Sequence, residues 1–247
     1  MSIADILTAE DMATSRSAAD FVAWVRQKGK ELSATLEIKR KVWLGAELST
    51  KFYDEIYPLA VFVEREFSNI PEVIVTPNLN SDNYDATIEF KSPPSKHFIE
   101  ITRAKNGYDE SLRMEVLARD GHVCWTGPIT KKSGKKGTSE RIVEITSEAR
   151  CRDDALLEKN LSLIETTVKA KSEGRQYGKN FTLLVIVDDY DDFQTESEQA
   201  KLDAFVKDKL LLPDLDFALL IILGISGKLK LSYHLPRYND TVTLLTL

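Results

Sequence analysis

Two nearly uninterrupted apolar runs constrain this chain most: Phe181-Thr182-Leu183-Leu184-Val185-Ile186-Val187, and the stretch over 217–225. Runs without polar alternation are expected of strands buried on both faces of a sheet. Both are far too short to cross a bilayer, which takes about 20 apolar residues. A helix is expected over 196–210, begun by Thr195 or Ser197. Another is expected over 153–173, with Leu157, Leu161, Ile164 and Val168 as its apolar stripe and Gly174 as its end. Residues 228–234 are expected to fold back on the second run through Ser226-Gly227.

The first part of the chain has helical periodicity over residues 8–68. Ala18, Phe21, Val22 and Val25 make one stripe, and Phe52, Ile56, Leu59, Val63 and Phe67 make another. Ser49 or Thr50 is a candidate cap of the second helix, which should end before Pro71. The period then changes to two. A short strand is expected over 72–76, a turn over 77–83, and then a hairpin. Its first arm alternates apolar Tyr84, Ala86, Ile88 and Phe90 with polar Asp85, Thr87 and Glu89. Its second arm carries Ile99 and Ile101 on one side and Phe98, Glu100 and Thr102 on the other. With 91–96 as the turn, Phe90 faces His97, Thr87 faces Glu100 and Asp85 faces Thr102. Asp85 and Glu100 are then diagonal neighbours, roughly 6–8 Å apart. Two carboxylates that close repel, and a divalent cation between them removes the repulsion and takes oxygen ligands readily. A helix over 108–119 follows. Strands over 122–125 and 141–146 would form a second hairpin around the basic loop 131–137.

Helices, three strands, a helix, a strand, a helix and final strands imply an α/β sandwich with a mixed central sheet. Residues 1–48 would form an N-terminal helical extension packed against a 49–247 α/β domain. The 247 residues include 43% hydrophobic and 29% charged residues, an ordinary globular balance. The net charge of −6 excludes a globally basic chain, so contact with nucleic acid needs a local patch. Lys131, Lys132, Lys135 and Lys136 supply one, with Arg103, Lys105, Arg113 and Lys169 as possible extensions. Cys124 and Cys151 lack metal-site spacing and do not suggest a disulfide framework, which fits a reducing cytoplasm. No basic leader followed by an apolar run opens the chain, so no membrane association is expected.

The helix, the Tyr84-Asp85 strand, the Phe98-Ile99-Glu100-Ile101-Thr102 strand, the long helix and the buried strand at 181–187 together resemble the PD-(D/E)XK nuclease-like superfamily over roughly 50–190. The resemblance implies a restriction-endonuclease-like fold and Mg²⁺- or Mn²⁺-dependent hydrolysis of phosphodiester bonds, with DNA as the expected nucleic acid. A phage-defence setting and a homodimer would suit the family. Asp85, Glu100 and the Ile101 carbonyl would be the metal ligands. Thr102 stands where the family carries lysine. Lys171 continues the stripe of the long helix by three residues, so it points toward the sheet and can supply the missing amine. Thr102 would hydrogen-bond the attacking water or Lys171. The family often adds a carboxylate from its first helix, for which Glu64, and after it Glu66, is the candidate.

Two other readings stay open. Thr102 in the lysine position fits a catalytically inactive member of the fold that binds nucleic acid or a protein. An unrelated α/β enzyme would place its site near Asp188 at the strand end. The 188–192 acidic run lacks the glycine and terminal glutamate of a calcium loop and is expected to cap the strand in solvent. Cys124 is expected as a buried small side chain. Glu144 and Thr146, which repeat the Glu-x-Thr spacing, are expected to be structural.

Overall fold

A computed structural model describes residues 2–80, 82–124, 127–135, 141–146, 153–173, 177–190, 193–210 and 215–235. The helices are α1 (Ala9–Ala13), α2 (Ala18–Leu32), α3 (Leu36–Trp43), α4 (Ser49–Lys51), α5 (Tyr57–Phe67), α6 (Gly107–Asp120), α7 (Asp153–Ser172) and α8 (Glu196–Lys209). A π-helical turn, Phe52–Ile56, joins α4 to α5. The strands are β1 (Arg16–Ser17), β2 (Val73–Pro77), β3 (Ala86–Lys91), β4 (Pro94–Arg103), β5 (Ile129–Ser133), β6 (Ile142–Ile145), β7 (Gly178–Val187), β8 (Phe217–Gly224) and β9 (Lys230–His234).

The central sheet has the order β1-β2-β3-β4-β7-β8-β9. β1 to β4 run as an antiparallel series. β4, β7 and β8 are parallel, and β9 returns antiparallel on β8. The sheet is therefore mixed, with helices on both faces. Alternate residues of the two apolar runs explain this. Leu184, Ile186, Leu219, Ile221 and Leu223 join one core with Phe21, Phe52, Phe62 and Phe67 from the N-terminal helices. Leu183, Val185, Val187, Leu220 and Ile222 join the other with Leu157, Leu161, Ile164 and Val168 of α7 and Leu202 and Val206 of α8. Burying each large side chain of this kind stabilises the fold by about 1.5–3 kcal/mol. The first 48 residues share the first core, and their β1 extends the sheet at β2. Among the described residues no helix is long and apolar enough to cross a membrane.

Local chemistry sets several boundaries. Thr195 and Glu198 form a reciprocal capping box at α8. Asn106 caps α6, which ends at Gly121 with φ 78. Neither Ser49 nor Thr50 caps the helix at 49. Leu48 occupies that position without a side-chain bond, and the Ser49 hydroxyl donates to the Ala46 carbonyl.

The β3–β4 register differs from the expected one by two residues. Phe90 pairs with Ser95, Thr87 with Phe98 and Ala86 with Ile99. Pro94 is a strand residue opposite Lys91, so the connection shrinks to Ser92 and Pro93. A proline is tolerated as the first residue of a strand, where no ladder N–H is needed. The second hairpin also differs. Residues 122–124 are not a strand; Ile129–Ser133 pairs with β6 as a separate two-stranded sheet. Its strands lack an apolar period because only Ile129 is buried. Cys124 is exposed, not buried.

Candidate functional site

The site forms where β3 begins beside the second half of β4. Asp85 lies in the bend immediately before β3. Its N–H donates to the Ile99 carbonyl at 2.8 Å, and its Oδ2 accepts the Ile101 N–H at 2.7 Å. The carboxylate thus takes the place that a further strand carbonyl would hold on Ile101. It does not face Thr102 across a ladder, because the ladder ends at Ala86 and Ile99. In an extended residue N–H and C=O point to the same edge, so the Ile101 carbonyl also lies on the Asp85 side.

Glu100 is 3% exposed. It projects with Phe98 and Thr102 toward α7, since the alternate residues Ile99 and Ile101 belong to the opposite core. Lys171, in the last turn of α7, places Nζ 2.5 Å from Glu100 Oε1. Leu157, Leu161, Ile164 and Val168 bury the stripe that aims it there. The Tyr177 hydroxyl donates to the Lys171 carbonyl at 3.1 Å and ties down the helix end. An aromatic wall lies next to the pair, with Phe98 stacked on Phe181 at 4.7 Å between centroids and in edge contact with Tyr84 at 5.0 Å. Thr102 is half-buried, and its hydroxyl makes no hydrogen bond with Lys171 among the described residues.

The helix carboxylate nearest this site electrostatically is Glu55, not Glu64. Glu55 sits in the π-helical turn, and its carboxyl is pushed up to about 7, first by burial and then by the negative charge of Asp85. Lys51 opposes this from 3.1 Å. That ammonium is ion-paired with Glu55 Oε2, an atom buried from solvent. Glu64 lies nine residues later, about 13 Å along the helix axis, and pairs with Arg26 in the open. Glu66 is bound to Lys230 at 2.5 Å. Neither is part of the site. The sequence signal for Glu55 was a carboxylate next to the buried Ile56, with a lysine four residues earlier.

The basic residues are distributed differently from the expected patch. Lys131 and Lys132 are exposed on β5, and Lys132 pairs with Glu144 at 2.6 Å. Lys135 follows that strand, and Lys136 lies outside the described residues. Arg103 and Lys105 do not extend the patch. Both reach Asp54 at 2.9 Å, with Glu110 as their second partner. Arg113 is buried and donates to the carbonyls of Cys124 and Gly127, while Lys169 pairs with Glu165. Arg113, with the Arg141–Glu115 pair at 2.7 Å, anchors the β5–β6 hairpin to α6. Asp189 does not cap its strand in solvent. It is fully buried and accepts both the N–H and the hydroxyl of Ser226.

Among the described residues, no three His, Cys, Asp or Glu side chains form a ready-made metal cluster. Comparison with family models, with curated proteins and with solved structures finds no match.

Proposed function

We propose that this chain is a metal-dependent phosphodiesterase of restriction-endonuclease-like fold that cleaves nucleic acid, with DNA as the expected substrate. The observation that carries the reading is the convergence on Glu100: Lys171 reaches it from α7, and Asp85 binds the next residue's N–H. The donor set suits Mg²⁺ or Mn²⁺. Such ions are commonly held by one or two carboxylates and complete their shell with water and substrate phosphate, so a third carboxylate is not required. Asp85, Glu100 and the Ile101 carbonyl would hold the ion, and the Glu55 carboxyl, paired with Lys51, lies near enough to feel the charge of Asp85. When bound, the ion supplies polarisation of the phosphate and a more acidic water.

The chain's own groups do the rest. Lys171 replaces the strand lysine of the family, orienting the water or offsetting charge that develops on the phosphate. Glu55, with its carboxyl at about 7, can exchange a proton near neutral pH. Lys131 and Lys132 on the anchored hairpin are available to the phosphate backbone.

The test is incubation with plasmid DNA and Mg²⁺ or Mn²⁺, beside Asp85→Ala and Glu100→Ala. Metal-dependent cleavage lost in both variants is expected. Cleavage that persists in both removes the site assignment. Thr102 in the lysine position favours the second reading, a non-catalytic binding protein of the same fold. Absence of Mg²⁺ and Mn²⁺ binding at millimolar concentration in calorimetry would select it.

A further inference from the structure

A concave site lies at the end of β4. A cavity of about 670 Å³ opens between α3, α6 and the π-helical turn. This is within the size range of small-molecule sites. Arg103 at the end of β4 and Ile225 just after β8 both line it. It therefore lies outside the carboxyl ends of parallel strands, where open α/β sheets characteristically bind ligands.

Its chemistry is uneven in a useful way. Four charges on its wall neutralise one another: Arg103 and Lys105 against Asp54 and Glu110. Lys39 is different. It lines the cavity half-buried, and among the described residues its ammonium has no hydrogen bond or ion pair. A partly buried ammonium without a partner favours an anionic ligand. Opposite in character are three aromatic side chains of the same wall, Trp43, Tyr53 and Tyr57, with the two tyrosine rings 6.1 Å apart. Aromatic faces accept nucleobases with little regard to sequence, each stacking contact being worth about 1–3 kcal/mol.

We infer that this cavity binds one nucleotide unit, its base against Trp43, Tyr53 or Tyr57 and its phosphate at Lys39. The unit is either a free mononucleotide or an unpaired nucleotide of a strand. The site stands independently of cleavage at Asp85 and Glu100, and it needs no metal.

The test is calorimetry in EDTA with adenosine 5′-monophosphate, with adenosine and with a short single-stranded oligodeoxynucleotide. The wild-type chain is compared with Lys39→Ala and Trp43→Ala, each checked for folding by circular dichroism. Binding of the mononucleotide, at least tenfold weaker in Lys39→Ala and weaker for adenosine than for its phosphate, supports a free nucleotide. Binding of the oligonucleotide alone, weakened to the same extent by Lys39→Ala, supports a strand nucleotide. No binding of either at millimolar concentration overturns the inference, as does binding that Lys39→Ala leaves unchanged. Lys39→Ala removes a side chain with no partner, so it keeps the test decisive should Trp43→Ala fail to fold.

Discussion

Replacing Glu55 by glutamine should make the protein more stable, with a gain that grows from about pH 4.5 and is complete only above neutral pH. An unfolded glutamate titrates near 4.5, whereas Glu55 in the fold is pushed up to about 7 by burial and by Asp85. Between those values the folded state holds a proton that the unfolded state has released. Stability from this group is therefore greatest below pH 4.5, falls as pH rises to about 7, and is level above that. At about 1.4 kcal/mol per pH unit, the ceiling is about 3 kcal/mol. The side chain is one-quarter exposed and faces Lys51, so solvent screening reduces the effect to about 2 kcal/mol. Glutamine keeps the size and abolishes the charge. Thermal melts in EDTA at pH 5 and pH 8 should show Glu55→Gln close to wild type at pH 5. At pH 8 it should melt higher by roughly 4–8 °C, at about 2–4 °C per kcal/mol for a chain of this size. Subtracting wild type at each pH removes the titrating groups that do not interact with Glu55, leaving Glu55 and its neighbours Asp85, Asp54 and Lys51. A difference that is the same at both pH values, or a less stable variant at pH 8, would refute the burial argument.

Other perturbations separate the site from its surroundings. Lys171→Met leaves Glu100 buried and without that ion pair, and should cost about 3–5 kcal/mol in urea unfolding as well as cleavage activity. Glu64→Ala should change stability by less than about 1 kcal/mol and leave cleavage intact, because the Arg26 pair is exposed. Gly224→Ala should lower stability in urea unfolding by at least about 3 kcal/mol, as its Cβ would lie 2.1 Å from Oδ2 of Asp189, a buried carboxylate held by Ser226. Lys131→Ala should weaken DNA binding evenly across sequences and lower the salt-dependence slope by about one, measured by filter binding in Ca²⁺.

The parts of the fold legible in the sequence were those set by one clear period. The apolar runs at 181–187 and 217–225 required helices on both faces, and alternate residues do enter two separate cores. The stripe of α7 placed Lys171 toward the sheet, and it meets Glu100 there. Register was not legible. Two adjacent prolines read as loop, yet Pro94 opens β4 and shifts every pair by two. Glu55 was hidden for a related reason. The apolar spacing from Ser49 reads as an unbroken α-helix, whereas the turn at Phe52–Ile56 is π-helical, which shifts the residues after it off the α-helical period. The β5–β6 hairpin carries almost no apolar pattern because one buried isoleucine and a few polar anchors on α6 hold it. The charges of Arg103 and Lys105 read as a phosphate-binding surface, and only the fold brings Asp54 and Glu110 to neutralise them.

The most direct test of the central claim is a crystal of the protein grown with Mn²⁺ and examined by anomalous diffraction. An ion bonded to a carboxylate oxygen of both Asp85 and Glu100 is the expected result. An ion-free site at millimolar Mn²⁺, or ions bound only elsewhere on the chain, would contradict it.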